Sequence, residues 1–307
     1  LGARVARLRG ELARAGLRFR PRVWLSSDWF SPDGVAGFAV PFYLAHPRLQ
    51  RLEREHLLEV EGGTLEKCLK LLRHETAHAL DNAYHLRRRK RFREVFGRGG
   101  EPYHASYVPN PRSRKHVLNI GSWYAQSHPL EDFAETFAVW LDPSSRWRKD
   151  YAGWPALAKL EYVDALMAEI ARQPALPGKS SRPDALPRLR YTLREYFRRK
   201  QRHYGLDRGA PDAGMLEELF SADPAYRRQR SAARFVEERR RRVRRRVSRL
   251  TGQHSYVVDQ VLDELVAVCR ERDLRLRQTV GESLLDLVCY VTSRTMKFGS
   301  GRIDYQR

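Results

Sequence analysis

Cysteine is scarce in this chain, with three in 307 residues: Cys68, Cys269 and Cys289. An odd number so widely spaced excludes a disulfide framework and a cysteine-based zinc finger. Each lies in an apolar helical pattern, so the three read as buried thiols in a reducing, cytoplasmic compartment. Long hydrophobic runs are missing as well. The longest candidate, residues 34–45, is interrupted by Pro41 and falls short of the ~18 residues that a membrane-spanning helix needs. The first seventeen residues place Arg4, Arg7, Arg9 and Arg14 along an apolar stripe, unlike the continuous apolar core of a secretion signal. Neither a Walker loop nor a Gly-x-Gly-x-x-Gly loop occurs, and there is no internal repeat, so nothing points to a nucleotide cofactor or a solenoid.

What is present suits a packed and strongly basic protein. Hydrophobic residues make up 42% and aromatics 10%, too much for a disordered chain. The 58 basic side chains outnumber the 37 acidic ones, for a net charge of +21. This length favours two domains, and residues 173–187, with Pro174, Pro177, Pro183 and Pro187, cannot be helical and read as a linker. We therefore expect one domain over 1–178 and a second over 179–307, carrying 28 − 20 = +8 and 30 − 17 = +13 charges. The fold class expected is α+β for the first, because residues 23–25 and 35–44 are β-branched and aromatic around the turn Ser31-Pro32-Asp33-Gly34. The second reads as all-α, with amphipathic patterns over 227–250, 257–270 and 280–296. In the first of these, Phe235, Val243, Val247 and Leu250 form a narrow apolar stripe and arginines fill the rest. The stretch Arg239 to Arg249 is either a face for nucleic acid or an acidic protein, or a solvated helix in a chain that uses 49 arginines and 9 lysines throughout.

One segment carries legible chemistry: His74-Glu75-Thr76-Ala77-His78, an H-E-x-x-H motif. Thr64 can cap a helix with Glu66 in its first turn, and no Pro or Gly follows until Gly97. At ~100° per residue, His74, His78, Asp81 and His85 fall within about 60° of one another, while Leu65, Leu69, Leu72 and Leu80 lie on the opposite side. The i, i+4 spacing brings two imidazole nitrogens to one metal ion, with zinc the expected cofactor and Glu75 beside it as a base. A catalytic zinc needs a third protein ligand and an open position. A second helix from Pro129 to Leu141 presents Glu131 and Glu135 one turn apart, and small Ala134 and Ala138 permit close approach to another helix. Either carboxylate can be the third ligand. A histidine is the other option, although His85 lies nearly three turns from His74 on a straight helix. Proteases of the SprT-like class use a second-helix histidine followed by glycine, whereas His85 precedes Leu86 and His104 precedes Ala105.

The sequence His74-Glu75-x-x-His78-Ala79-x-Asp81, followed by Glu131-x-Phe133-Ala134-Glu135-x-Phe137, resembles the metal-binding pattern of gluzincin peptidases related to anthrax lethal factor. Tyr124-Ala125 with His128-Pro129-x-Glu131-Asp132-x-Ala134-Glu135-Thr136 is similar to the family named "putative zinc-binding metallopeptidase". The resemblance covers roughly residues 60–145. It implies a zincin-like domain in which His74, His78 and Glu131 are metal ligands and Glu75 is the base. Asp81 and Glu135 would then orient ligands, and Tyr124 would donate to the oxyanion. It also implies that residues 37–43 form a strand lining the cleft. The basic run Arg87 to Arg93 and the C-terminal part depart from both groups.

The function expected is a zinc-dependent peptidase acting on peptide or isopeptide bonds of a protein substrate. Its basic C-terminal domain would recruit an acidic or nucleic-acid-associated partner. The other class is a nucleic-acid-binding or scaffold protein with an inactive zincin domain, and the intact Glu75 favours the first.

Overall fold

A computed structural model describes residues 1–299 except 105–106, 122, 177 and 206–212, with the backbone alone at 213–215 and 297–299. The described residues divide into two units, one of residues 1–54 and 60–192, the other of residues 55–59 and 193–299. The architecture is mixed, mainly helix with two small sheets. No helix among the described residues is long and apolar enough to cross a membrane.

The first unit runs α1 (Gly2–Arg14), β1 (Arg22–Ser26), β2 (Gly37–Pro41), most of α2 (Pro47–Leu57, whose last three residues group with the other unit), α3 (Leu65–Tyr84), α4 (Lys90–Phe96), α5 (Pro129–Leu141), α6 (Trp147–Asp150) and α7 (Ala156–Ile170). Strands β1 and β2 pair in parallel, with Arg22 opposite Gly37 and Ser26 opposite Pro41. Gly37 is required there, since a Cβ would sit 2.3 Å from the Arg22 carbonyl oxygen. The strand is shorter than the expected 37–43: after Pro41 the chain turns into a 3-10 segment, Phe42–Ala45. Ala39 N–H already donates to Phe30 O at 2.8 Å, so part of the second edge is taken.

Helix α3 begins as expected, with Thr64 Oγ1 accepting from Lys67 N at 3.2 Å. It does not continue toward Gly97. His85 adopts a left-handed conformation at φ 50° and its N–H returns to Asp81 O, while the Asp81 carboxylate captures Arg87 N–H at 2.7 Å. These local bonds satisfy the terminal groups and turn the chain away. Helices α1, α3, α5 and α7 enclose the core. Leu8 and Leu12 from α1, Leu72 and Leu80 from α3, and Phe133 and Phe137 from α5 are almost wholly shielded from solvent.

The described residues of the proline-rich stretch form no α-helix, only a turn at 183–184 and the start of a 3-10 segment, Leu186–Arg188, and they are tied down. Leu176 N–H reaches Ala83 O at 2.9 Å and Lys179 N–H reaches Gly34 O at 2.9 Å. Trp24 Nε1 and Ser26 Oγ donate to Pro183 O and Asp184 O at 3.1 and 2.7 Å. Residues 179–192, placed by the sequence with the second domain, therefore group with the first unit. Pro177 lies outside the described residues.

The second unit contains α8 (Leu193–His203), α9 (Ala213–Leu219), β3 (Phe220–Ser221), α10 (Ala232–Thr251), α11 (Ser255–Glu271), β4 (Arg275–Leu276) and α12 (Val280–Gly299). It is not all-α. Phe220 and Ser221 pair antiparallel with Leu276 and Arg275, because the chain leaving α11 is extended and Ala232 N–H and Leu276 N–H bind across it to Leu274 O and Arg230 O. On α10, Phe235, Val243 and Val247 are buried as the stripe requires, and Val236 joins them, but Leu250 is exposed. Cys68 and Cys269 are buried thiols, whereas Cys289 on α12 is exposed, contrary to expectation.

Candidate metal centre

Helices α3 and α5 pack against each other, and Ala134 and Ala138 on α5 are completely buried, which lets the two backbones approach. His128 caps α5 by accepting Leu130 N–H on Nδ1 at 3.1 Å, and Pro129 follows at the first helical position. The first turn then carries Glu131 toward α3. Asp132, its neighbour, turns elsewhere and pairs with Lys159. Burial pushes the Asp132 carboxyl up to about 7 against the opposing effect of that ammonium group.

His74 Nε2 lies 2.9 Å from Glu131 Oε2, and His78 Nε2 lies 3.4 Å from the same oxygen and 3.2 Å from His74 Nε2. All three atoms fall within 4.8 Å of one another, the one such His, Cys, Asp or Glu group among the described residues. The other nitrogen of His74 donates to Glu135 Oε1 at 2.8 Å. A carboxylate only accepts, so this bond puts the proton of a neutral ring on Nδ1 and leaves the Nε2 lone pair facing inward. Glu135 is itself held by Asn119 Nδ2 at 2.9 Å and Ile120 N–H at 2.7 Å.

The donor set fits a zinc ion. Glu131 Oε2 is fully buried and accepts no hydrogen bond of normal geometry, yet two imidazole nitrogens face it. Three lone pairs that converge without donors repel one another unless a cation or a proton lies between them, and two nitrogens with one carboxylate oxygen are ligands that zinc takes. Without metal, the proton takes that place. Burial opposes a charged His74, but the Glu131 and Glu135 carboxylates against its two nitrogens outweigh this and hold its pKa well above the ordinary value. Burial likewise opposes charge on Glu131, and His78 and His74 overrule it, keeping this carboxyl well below the usual range.

Glu75 follows on the same helix, nearly buried at 7% exposure. Its Oε2 has no hydrogen-bond partner, and burial lifts its carboxyl above the usual range despite the two histidines. A carboxyl raised in this way is suited to both accepting and returning a proton. The Tyr124 ring lies with its centroid 5.7 Å from that of His74. Of the residues singled out in the sequence, His74, His78, Glu131 and Glu135 come together, with Glu75 and Tyr124 adjacent. Asp81 does not join them: its described side-chain bonds go to Arg87 N–H and Nε, and it secures the turn after α3.

Three contributors were not legible in the sequence. Tyr103 Oη donates to Glu131 Oε1 at 2.7 Å, and Asn119 and Ile120 hold Glu135. All lie in the irregular segment between α4 and α5, where no periodicity marks a residue as inward-facing. The only available signal was His128 before Pro129, a helix start whose imidazole also stacks on Tyr103 at 3.9 Å between centroids.

No curated protein and no solved structure matches the chain. Residues 53–148, the stretch that holds both site helices and the segment between them, match the family model described as "Putative zinc-binding metallo-peptidase".

Proposed function

We propose that the first unit is a zincin-like, zinc-dependent peptidase acting on a protein or peptide substrate. His74, His78 and Glu131 would hold the ion, with Glu135 fixing the His74 tautomer. The observation that carries this reading is the buried convergence of the three ligand atoms beside an unpartnered Glu75 oxygen. A bound zinc supplies Lewis-acid chemistry, lowering the pKa of a coordinated water and polarising a carbonyl oxygen. Glu75 accepts the proton of the attacking water and delivers it to the leaving amine. Tyr124 contributes a hydroxyl donor to the developing oxyanion, a term typically worth about 3 kcal/mol.

Metal removal tests this reading. Chelation is expected to abolish hydrolysis of a mixed peptide library, and about one equivalent of zinc per chain is expected to restore it. Hydrolysis that persists in the chelated protein would end the proposal.

The second unit would recruit the partner. On α10, Arg240 and Arg244 are bound to Asp259, and Arg239 stacks on Phe235. Arg241, Arg242, Arg245, Arg246 and Arg249 are exposed on the other side with no ion-pair partner among the described residues. Guanidinium groups in two rows along the helix suit a polyanion such as a nucleic-acid backbone. Binding to duplex DNA should weaken linearly in log K against log salt, with a slope near −4.5 if all five contact phosphate. Changing the five to alanine should flatten that slope, and an unchanged slope would return the arginines to plain surface. Free thiols at Cys68, Cys269 and Cys289 support a cytoplasmic setting.

A further inference from the structure

The two oxygens of Glu131 have different surroundings. Oε2 faces His74 and His78, whereas Oε1 accepts the Tyr103 hydroxyl at 2.7 Å. Tyr103 is itself placed by the start of α5. Its ring stacks on His128 with centroids 3.9 Å apart and planes 18° from parallel. His128 is fixed on both nitrogens, Nδ1 by Leu130 N–H at 3.1 Å and Nε2, which donates to Glu101 O at 2.9 Å. The segment leading to Tyr103 can lie this close because Gly99 has no side chain: a Cβ there would come 2.8 Å from Leu130 Cδ2.

We propose that Tyr103 is a positioning residue that reserves Glu131 Oε1, so that Glu131 offers the metal a single oxygen. This inference rests on the reading of His74, His78 and Glu131 as ligands. A carboxylate with both oxygens free can bind a metal through two atoms and occupy the position that water or substrate needs. With Oε1 engaged by a phenol, only Oε2 is directed at the imidazoles, and the open position of a catalytic site is kept. The same bond draws Glu131 to one rotamer, which favours metal affinity.

The test uses the full chain with zinc and with cobalt(II) as probes. Tyr103→Phe keeps the ring and its stack on His128 and removes only the hydroxyl. Zinc affinity, measured by competition with a chromogenic chelator, is expected to fall ~10–100-fold. The visible bands of the cobalt form should weaken, because a second Glu131 oxygen raises the coordination number. Tyr103→Gln, which restores a donor without the ring, should keep the wild-type spectrum. Wild-type affinity and spectrum in Tyr103→Phe would overturn the proposal. So would equal loss of affinity in both variants with unchanged bands, since that result assigns the ring a packing role only. Failure of Tyr103→Phe to fold without metal, read by circular dichroism, would also overturn it, because a hydroxyl that only orients a ligand leaves the metal-free fold intact. His74→Ala serves as the control: if it does not reduce metal uptake, the ligand assignment itself fails, and if it does, a negative Tyr103 result concerns Tyr103 alone.

Discussion

Glu75→Gln is expected to lower peptide turnover by ~10²–10⁴-fold, the usual contribution of a positioned general base, while zinc content stays at the wild-type level. The amide is nearly isosteric and keeps an oxygen and a donor in the same buried space, so the helix and both histidines stay in place. It cannot take up the proton. Burial raises the pKa of the Glu75 carboxyl and a bound dication would oppose that shift, so the position of the acidic limb of activity reports the balance of the two. The base is competent only when ionised, so rate rises as pH climbs through its pKa. Elemental analysis alongside single-turnover kinetics separates the two effects. Retained turnover with full zinc would remove Glu75 from the chemistry.

His74→Ala should have the largest effect on the metal and on the fold around it. It removes one proposed ligand nitrogen and the partner of two carboxylates at once, since the imidazole bridges Glu131 and Glu135 at 2.9 and 2.8 Å. Zinc uptake should fall to near zero, against a ~10–100-fold weakening for Glu135→Ala, which only orients the ring. The metal-free variant should lose ~3–5 kcal/mol, the cost of breaking a buried pair from one side. The pH dependence follows from the directions of the shifts. His74 has a raised folded pKa, so its contribution is full below the unfolded value of ~6.5 and is lost as pH rises through the folded one. Glu131 is depressed, so its contribution is full above ~4.3 and is lost as pH falls through its folded value. Urea unfolding in chelator should therefore separate wild type from variant most clearly near pH 6. A difference that is smaller near pH 6 than at alkaline pH would contradict the assignment. Zinc and proton compete for the same nitrogen, so affinity in the wild type should fall on acidification.

The H-E-x-x-H spacing was legible because it is local. A helix places residues four apart on one face whatever surrounds it, so the pairing of His74 with His78 needed only the period of 3.6 and the Thr64 cap. The same holds for α5, where His128-Pro129 starts the helix and Glu131 and Glu135 share a side. The start of α3 was readable for this reason, but its end was not. His85 leaves the helix because Asp81 finds Arg87, a contact that helical periodicity does not encode and that diverts Asp81 from the imidazoles. The proline-rich stretch was read as a non-helical linker, but its attachment to Ala83, Gly34 and Trp24 depends on hydrogen-bonding groups far away in the chain.

By itself, then, the sequence determined the two helices, the residue types offered to a metal, and the separation of arginines from an apolar stripe on α10, since all of these follow from local periodicity and composition. Tertiary structure decided which carboxylate faces which nitrogen. Glu131 faces both histidines and Glu135 reaches the far nitrogen of His74 because α3 and α5 pack against each other. Tyr103 and Asn119 complete the site from an irregular segment whose path is set by close packing against α5 and by hydrogen bonds to buried acids. Such contacts join residues 16 to 61 positions apart, and no repeat along the chain marks them in advance.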